Sequence, residues 1–293
     1  MKAVISGAEF ISFNNLFYYI EYITFISLTH GLNYFKTDLF RTYYGRNRYH
    51  KLVVSTSEKI ISLANQNGWE EKDLIKICLP KWDKFDIYRK KKKRKKNKSI
   101  FIFFTWRMWQ KNITEKEKLN SYYFKNILDL INNELLTELL KKNRISLKFC
   151  LHHMLDIYKE MLHFENQNIQ FIKQNEIFKN IINSNLLITD FSSIIFEFMY
   201  QKKPYIMFIP DIDDPNIDKY YSKEYSELIN ALKLDKFEFL NKCYNINQAI
   251  DKIIYYYIKN GFQIESKLND FYESFNLTCG NNTMKFINYL ENI

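Results

Sequence analysis

The sequence predicts an α/β fold built on parallel sheets, because short apolar runs alternate with segments of helical spacing. The alternation is interrupted once, by the strongly basic residues 89–98, and then starts again. A chain of 293 residues, of which 46% are hydrophobic, is long enough to bury two cores. We therefore expect two α/β halves joined by a linker.

The half before the linker contains three predicted strands, at residues 23–28, 51–55 and 74–79. A helix is predicted at residues 57–67, which have helical spacing and a serine near their start. Strands that alternate with helices at this spacing form βαβ units, so the strands are expected to be parallel. Residues 1–88 are therefore assigned to an N-terminal domain.

The linker is the basic run from Arg89 to Lys98, in which nine of ten residues are Lys or Arg. Like charges at this density do not pack, which indicates a solvated linker or an exposed turn. The run also accounts for most of the formal net charge of +10. Attraction to an anionic membrane, at about 1 kcal/mol per basic residue near the surface, is an equally open interpretation. Specific nucleic-acid binding is not expected, because the run lacks interleaved aromatic residues and no recognition fold is evident.

The half after the linker has predicted strands at residues 99–104, 146–151, 186–189 and 205–209. Helices are predicted at residues 116–142, 176–183, 194–202, 248–259 and 281–290. The strand at 186–189 has no polar alternation, as expected for a central strand of a parallel sheet. Residues 99–293 form the second predicted domain.

The cysteines and the apolar segments bear on the cellular compartment. Cys78, Cys150, Cys243 and Cys279 have neither CxxC spacing nor neighbouring histidines, which favours buried thiols in a reducing compartment over disulfides or a metal site. The apolar residues 16–28 are interrupted by a glutamate and fall short of the roughly 20 residues that span a bilayer. No signal peptide pattern is present. An intracellular protein with only peripheral membrane contact is expected.

Polar residues follow the predicted strands where an α/β sheet binds its ligands. His30, His152 and Asp190 each come at the end of an apolar strand. Ligands of such sheets bind at the carboxyl ends of the strands, and a cleft between two halves is a common site. This agreement indicates an enzyme.

Residues 186–204 hold the most informative pattern, a strand followed by Asp190, two serines and a helix. The hydroxyls of Ser192 and Ser193 and the first helical N–H groups converge where the helix dipole favours an anion such as a phosphate. Glu197 lies one turn beyond Ser193, within reach of the ribose of a nucleotide bound there. Alternatively, one serine is simply the helix N-cap, for which serine is a preferred residue. Both interpretations remain open.

Four other residues are candidates for chemistry. His30 precedes a glycine and has an ordinary pKa near neutrality, so it suits a general base, and Lys36 adds positive charge for a phosphate-bearing acceptor. Arg107 follows a predicted strand and can bind phosphate oxygens with two parallel hydrogen bonds. His152 can donate a hydrogen bond to a phosphate oxygen or to the leaving phosphate. For His30 and Arg107, an ordinary surface residue is the alternative.

Taken in order, five segments resemble the CDP-glycerol glycerophosphotransferase family, bacterial enzymes that build teichoic acids and related capsular polymers. They are LTHGLNYFK, CLPKWDKF, FFTWR, LLITDFSSIIFEF and KKPYIMFIPD, with the strand-to-histidine step at His152 between the third and the fourth. The resemblance extends from about residue 29 to residue 211. ITDFSS is its most specific segment.

The resemblance implies a GT-B-like fold, with two Rossmann-like domains facing a cleft. It implies transfer of glycerol phosphate, or a similar polyol phosphate, from CDP-glycerol or a related donor to a polymer or lipid-linked acceptor at the inner face of the cell membrane. By resemblance, His30 is the catalytic base, and Arg107, His152, Ser192 and Ser193 bind the donor phosphates. Glu197 contacts the nucleoside, and Lys36 and Asp83 lie on the acceptor side. No metal and no cofactor is implied.

Some features depart from the family pattern. His152 is followed by a second histidine rather than a proline, and lysines stand at Lys81 and Lys285 where arginine is expected. Only 29 residues precede His30, so the N-terminal domain is expected to be truncated or to be completed by a partner or a second copy. Two alternatives follow: a GT-B glycosyltransferase that uses a nucleotide sugar, or an inactive nucleotide-binding or scaffold subunit.

Overall fold

The structure is a computed structural model that describes most of the chain. The described residues are 3–6, 23–28, 32, 34, 51–91, 98–107, 109–110, 113–151, 169–215, 229, 239–277 and 280–293.

In this part of the chain the strands are β1 (Ala3–Ser6), β2 (Thr24–Ser27), β3 (Lys51–Val54), β4 (Leu74–Lys76), β5 (Ser99–Phe103), β6 (Ser146–Cys150), β7 (Ile169–Phe171), β8 (Leu186–Thr189), β9 (Tyr205–Phe208) and β10 (Lys242–Cys243). The α-helices are α1 (Glu58–Gln66), α2 (Asp83–Lys91), α3 (Glu115–Leu119), α4 (Tyr122–Ile131), α5 (Glu134–Asn143), α6 (Ile177–Asn183), α7 (Ile194–Tyr200), α8 (Ile246–Ile254), α9 (Ser266–Glu273) and α10 (Asn282–Glu291).

The chain divides into two compact units. Unit 1 comprises Met1–Lys92, Met199–Gln201 and Asn269–Ile293, and unit 2 comprises Lys93–Phe198 and Lys202–Leu268. The predicted division placed residues 99–293 in one domain, whereas the last 25 residues group with the N-terminal unit. The physical reason is local, because the Cys78 thiol donates to the Leu277 carbonyl over 3.3 Å and Thr56 donates to the Asn276 carbonyl over 2.7 Å.

Unit 1 contains a four-stranded sheet with the order β1-β2-β3-β4, in which all neighbouring strands are parallel. Phe25, Ile26, Leu52 and Val53 are buried in it, as the apolar runs predicted. The helix α1 connects β3 to β4 and confirms the predicted βαβ unit. The sequence analysis did not predict β1.

Unit 2 contains a six-stranded parallel sheet with the order β10-β9-β8-β5-β6-β7. Numbered within the unit, this is the order 3-2-1-4-5-6 of a Rossmann sheet, with its topological switch point between β5 and β8. The burial of all four residues of β8 agrees with its central position. The strands β7 and β10, which have three and two residues, were not predicted.

The predicted helix at residues 116–142 is wrong as a single element, because the structure has α3, α4 and α5 there. Two side chains start new helices within it. Ser121 accepts a hydrogen bond from the Phe124 amide over 3.3 Å, and Asn133 accepts one from the Leu136 amide over 3.2 Å. Serine and asparagine compete for backbone groups in a helix and are favoured as N-caps.

Cys78, Cys150 and Cys243 are buried, as predicted, and form no disulfide among the described residues; Cys279 lies outside them. Among the helices that the structure describes, none combines the length and the apolar content needed to cross a bilayer.

Candidate functional site

The candidate site lies at the carboxyl edge of the sheet in unit 2, where three neighbouring strands end. The strands β5, β8 and β9 lie side by side, and each is followed by a loop with charged or hydroxyl residues. Thr105 and Arg107 follow β5, Asp190 follows β8, and Asp211 follows β9. Because the topological switch point lies between β5 and β8, this edge is where a Rossmann sheet binds its ligand.

Asp190 joins the loop after β8 to the loop after β5. Its carboxylate accepts hydrogen bonds from the Thr105 amide over 3.0 and 3.1 Å and from the Thr105 hydroxyl over 2.8 Å. The side chain of Asp190 is fully buried. Burial raises the pKa of Asp190 above its usual range, although the charge of Arg107 and the hydrogen bonds from Arg107 and Thr105 act against the rise.

Arg107 links all three strand ends. Its Nη1 donates to Asp190 Oδ2 and to the Thr105 carbonyl, both over 2.6 Å. Its Nε and Nη2 donate to the two carboxylate oxygens of Asp211, both over 2.7 Å. This is the planar, two-bond geometry that only arginine provides. With 1% of its surface exposed, Arg107 holds these carboxylates inside the protein.

Two aromatic rings cover the guanidinium of Arg107. Its Cζ lies 4.6 Å from the centroid of Tyr123 and 4.5 Å from that of Phe191, within the range of cation–π contacts. The Tyr123 hydroxyl donates to the Thr105 carbonyl over 3.1 Å, and burial raises the pKa of Tyr123 well above its usual value. We refer to Thr105, Arg107, Tyr123, Asp190, Phe191 and Asp211 as the strand-end cluster.

The serines follow the strand-end cluster directly in the chain. Ser192 is 8% exposed and Ser193 is half-buried. Their carbonyls accept from the amides of Ile195 and Phe196 over 3.2 and 3.1 Å, which places both serines in the turn that leads into α7. Both serines therefore stand at the N-terminal end of α7, next to its first amides.

The model of the family CDP-glycerol:poly(glycerophosphate) glycerophosphotransferase matches residues 26–290. The chain belongs to this family. The recognition from the sequence is thereby confirmed, over a longer span than the quoted segments covered.

A curated relative of this glycerophosphotransferase family member is the minor teichoic acid biosynthesis protein GgaB of Bacillus subtilis (strain 168). The two are 28% identical over an alignment of 257 residues, and the match covers 83% of this chain. The match covers 26% of GgaB, so the chain spans about a quarter of the length of this relative.

Solved structures agree on the fold. The wall teichoic acid polymerase TagF, in a variant soaked with CDPG, matches with a TM-score of 0.60 at 18% identity, over 99% of this chain and 71% of that chain. The S. aureus MnaA–UDP co-structure matches with a TM-score of 0.58 at 13% identity, over 99% of this chain and 75% of that chain. These likenesses confirm the predicted GT-B-like α/β class. The predicted cleft between the domains stays a prediction.

Three of the predicted site residues of this family member lie outside the described residues, namely His30, Lys36 and His152. The described chain gives only the strand that leads to one of them. β6 ends at Cys150, two residues before His152, and pairs with β5 at its side. In the sequence, His152 therefore follows the strand next to β5, one strand away from the switch point.

Two predicted site residues are engaged in contacts within the fold. Arg107 was predicted to bind the donor phosphates from a strand end, but its guanidinium is buried and bonded to two carboxylates. Asp83 was predicted on the acceptor side, but its carboxylate accepts hydrogen bonds from the first two amides of α10, those of Asn282 and Thr283, over 2.9 and 2.7 Å. Both side chains are therefore engaged in holding the fold.

Glu197, predicted to contact the nucleoside, lies on α7 one turn beyond Ser193 and is 8% exposed. Its role stays a prediction, as do the phosphate-binding roles of the serines. The sequence analysis missed Asp211 and Tyr123 as members of the strand-end cluster. A signal for Asp211 was available, because it follows β9 as Asp190 follows β8. Tyr123 gave none, since it lies on the buried side of an ordinary amphipathic helix.

Proposed function

We propose that this chain transfers glycerol phosphate, or a similar polyol phosphate, from a CDP-activated donor to a teichoic-acid-like or capsular polymer acceptor. The observation that carries the proposal is the family match over residues 26–290, which includes every predicted site residue. The relatives support it, because one is a minor teichoic acid biosynthesis protein and the other a wall teichoic acid polymerase.

On the donor side, we propose that Ser192 and Ser193 bind the pyrophosphate of the donor with their hydroxyls and with the amides at the start of α7. Their place at the switch point of a Rossmann sheet supports this assignment. Glu197 is proposed to contact the nucleoside. Positive side chains and aligned amides stabilise developing phosphate charge without a metal, and the family implies none.

In the proposed reaction, His30 takes the proton of an acceptor hydroxyl as that oxygen attacks the β-phosphorus of the donor. The bond between this phosphorus and the bridging oxygen breaks, and CMP leaves. His152 donates a hydrogen bond to the leaving phosphate, and Lys36 attracts a phosphate-bearing acceptor. A general base in this position contributes about 10²- to 10⁴-fold to the rate.

The test is CMP release from CDP-glycerol with a purified teichoic-acid-type acceptor. His30→Ala should lower turnover by about 10²- to 10⁴-fold while CDP binding, measured by calorimetry, persists. Full activity of His30→Ala would remove this histidine from the mechanism. Ser192→Ala combined with Ser193→Ala should instead weaken CDP binding, and an unchanged affinity would remove the serines from the donor site.

The donor class is tested with the same assay. CDP-ribitol and sugar nucleotides serve as competing donors, and turnover only with a sugar nucleotide would replace the proposal by a glycosyltransferase. If the chain binds CDP without turnover and a second chain restores turnover, this chain is a nucleotide-binding subunit whose N-terminal domain is completed by the second chain.

We further propose that the protein lies at the cytoplasmic face of the cell membrane and contacts anionic lipid through the run from Arg89 to Lys98. The end of α2 supports this, because Ile87 and Tyr88 are each 51% exposed directly before the lysines. Exposed apolar residues beside basic ones are typical of interfacial helices. Binding to vesicles with phosphatidylserine should fall with salt and with Ile87→Ser, and equal binding to uncharged vesicles would contradict the proposal.

A further inference from the structure

The buried position of Arg107 suggests a task different from binding phosphate. A phosphate ligand has to be reached by the donor, but 1% of Arg107 is exposed. All three guanidinium nitrogens donate hydrogen bonds. Nε and Nη2 donate to Asp211, and Nη1 donates to Asp190 and to the Thr105 carbonyl. Two carboxylates face one guanidinium, so the cluster offers no surplus positive charge to an incoming anion.

The same contacts tie Arg107 to the turn that carries the serines. Asp190 stands two residues before Ser192, and its carboxylate is held by Arg107 and Thr105. Phe191, between Asp190 and Ser192, packs on the guanidinium at 4.5 Å. Two consecutive side chains of the turn are therefore fixed by one arginine.

Arg107 is in turn fixed from the opposite side by β9 and α4. Asp211 accepts both of its bonds over 2.7 Å, and Tyr123 lies 4.6 Å from its Cζ. The position of the turn after β8 thus depends on the strands on both sides of the switch point. A lysine cannot reproduce this arrangement, because its ammonium has neither the planar fork nor the ring-stacking face.

We propose that Arg107 is a positioning residue that sets the Ser192–Ser193 turn at the donor site, and that it does not contact the donor itself. This inference rests on the proposed function in one respect only, the identity of the ligand that the serines bind. The positioning of the turn by Arg107 is a property of the chain without ligand.

Binding of CDP to purified variants separates positioning from direct contact. Arg107→Lys should weaken CDP binding on the order of 10-fold, because a misplaced site loses affinity. Asp211→Asn decides between the two roles. This substitution weakens the bonds that hold Arg107 in place. If Arg107 positions the turn, CDP binding should become weaker. If Arg107 contacts the donor directly, its release from the Asp211 carboxylate should leave CDP binding equal or stronger. Arg144→Lys, an exposed arginine of the same unit, is the matched control and should bind CDP as the wild type does.

A double-mutant cycle tests whether Arg107 acts through the serines. If it does, Arg107→Lys should cost little further affinity in the Ser192→Ala, Ser193→Ala background, so the two effects are not additive. In the assay of CMP release with acceptor, Arg107→Lys should raise the KM for CDP-glycerol more than it lowers kcat. Additive losses would identify a separate contact with the donor and would overturn the proposal.

Hydrogen exchange without ligand makes the proposal independent of the donor. Amides of residues 191–195 should exchange faster in Arg107→Lys and in Asp211→Asn than in the wild type, while those of β3 in unit 1 and the Arg144→Lys control stay unchanged. Unchanged exchange in both variants would overturn the positioning role. If wild-type protein fails to bind CDP, the proposed function fails, and the exchange result still decides the role of Arg107. If Arg107→Lys does not fold, Asp211→Asn, which keeps the shape of the side chain, carries the test.

Discussion

Removal of the Asp83 carboxylate should loosen α10. Asp83 lies 199 residues away from that helix in the chain, and it accepts hydrogen bonds from the Asn282 amide, the Asn282 side chain and the Thr283 amide over 2.9, 3.0 and 2.7 Å. Replacing a capping residue by alanine costs about 1 kcal/mol, and a bond to a charged acceptor is stronger than a neutral one. For Asp83→Ala we therefore expect a loss of about 2 kcal/mol in the stability of α10.

Hydrogen exchange of the α10 amides measures this loss directly. A change of about 2 kcal/mol corresponds to roughly 30-fold lower protection. Asp83→Asn is the graded comparison, because its amide oxygen can still accept the bonds from Asn282, while the charge and the acceptor for the Thr283 amide are lost. A loss of protection smaller than that of Asp83→Ala is expected. Protection of α10 in Asp83→Ala within about threefold of the wild type would refute the capping role.

The pH dependence gives the sign of the charge effect. Burial acts to raise the pKa of Asp83, but the hydrogen bonds from Thr283 and Asn282 outweigh it and hold the pKa below its usual value. A carboxyl whose folded pKa is lowered adds stability above its unfolded pKa of about 3.9, and this stability is lost as the pH falls through the folded pKa. The advantage of wild type over Asp83→Asn should therefore be present at neutral pH and disappear in acid. A larger advantage in acid would show that the sign is wrong.

Two further predictions concern Lys203 and Tyr200, whose side chains donate hydrogen bonds to residues distant in the sequence. Lys203→Met should destabilise unit 2 by about 1–2 kcal/mol in urea unfolding. The reason is that Lys203 Nζ donates to the Ile181 and Ile182 carbonyls at the end of α6 over 2.8 and 2.7 Å. The control Lys179→Met, on the exposed side of the same helix, should change the stability of unit 2 little. Tyr200→Phe should cost about 1 kcal/mol in unit 1, because the Tyr200 hydroxyl donates to Asp86 Oδ2 over 2.7 Å, and an equal loss in the Asp86→Ala background would show that this bond contributes nothing.

The strands were predictable because burial on both faces of a parallel sheet leaves a direct mark in the sequence. β8 reads as four apolar or β-branched residues and is buried throughout. Helix boundaries were less predictable. Ser121 and Asn133 are residues that can also occur inside a helix, and only their hydrogen bonds to the Phe124 and Leu136 amides show that each is an N-cap. The short strands β7 and β10 have too few residues for a pattern, and their pairing with β6 and β9 decides their structure.

For the site, the sequence predicted that polar residues gather at strand ends, and the structure shows this for β5, β8 and β9. It did not predict which of them pair. Arg107 and Asp211 are 104 residues apart, and only the strand order places them together. An arginine at a strand end suits phosphate binding and structural pairing equally well by its chemistry. The burial of the side chain distinguishes these two roles. Burial depends on how the whole sheet packs, so it cannot be predicted from the residues around Arg107.

The charges at the carboxyl edge of the sheet in unit 2 bear on the proposed donor site. The strand-end cluster holds two carboxylates and one guanidinium and is closed to solvent, so it adds no attraction for a pyrophosphate. In the proposed donor site, Ser192 and Ser193 would contribute hydroxyls and amide dipoles, which stabilise an anion without a full charge. Under the proposed function, a positively charged partner for the pyrophosphate is expected from a residue outside the strand-end cluster. We propose that this partner is His152, which follows β6, the neighbour of β5, in the sequence, because a protonated imidazole can stabilise the charge that develops on a leaving phosphate.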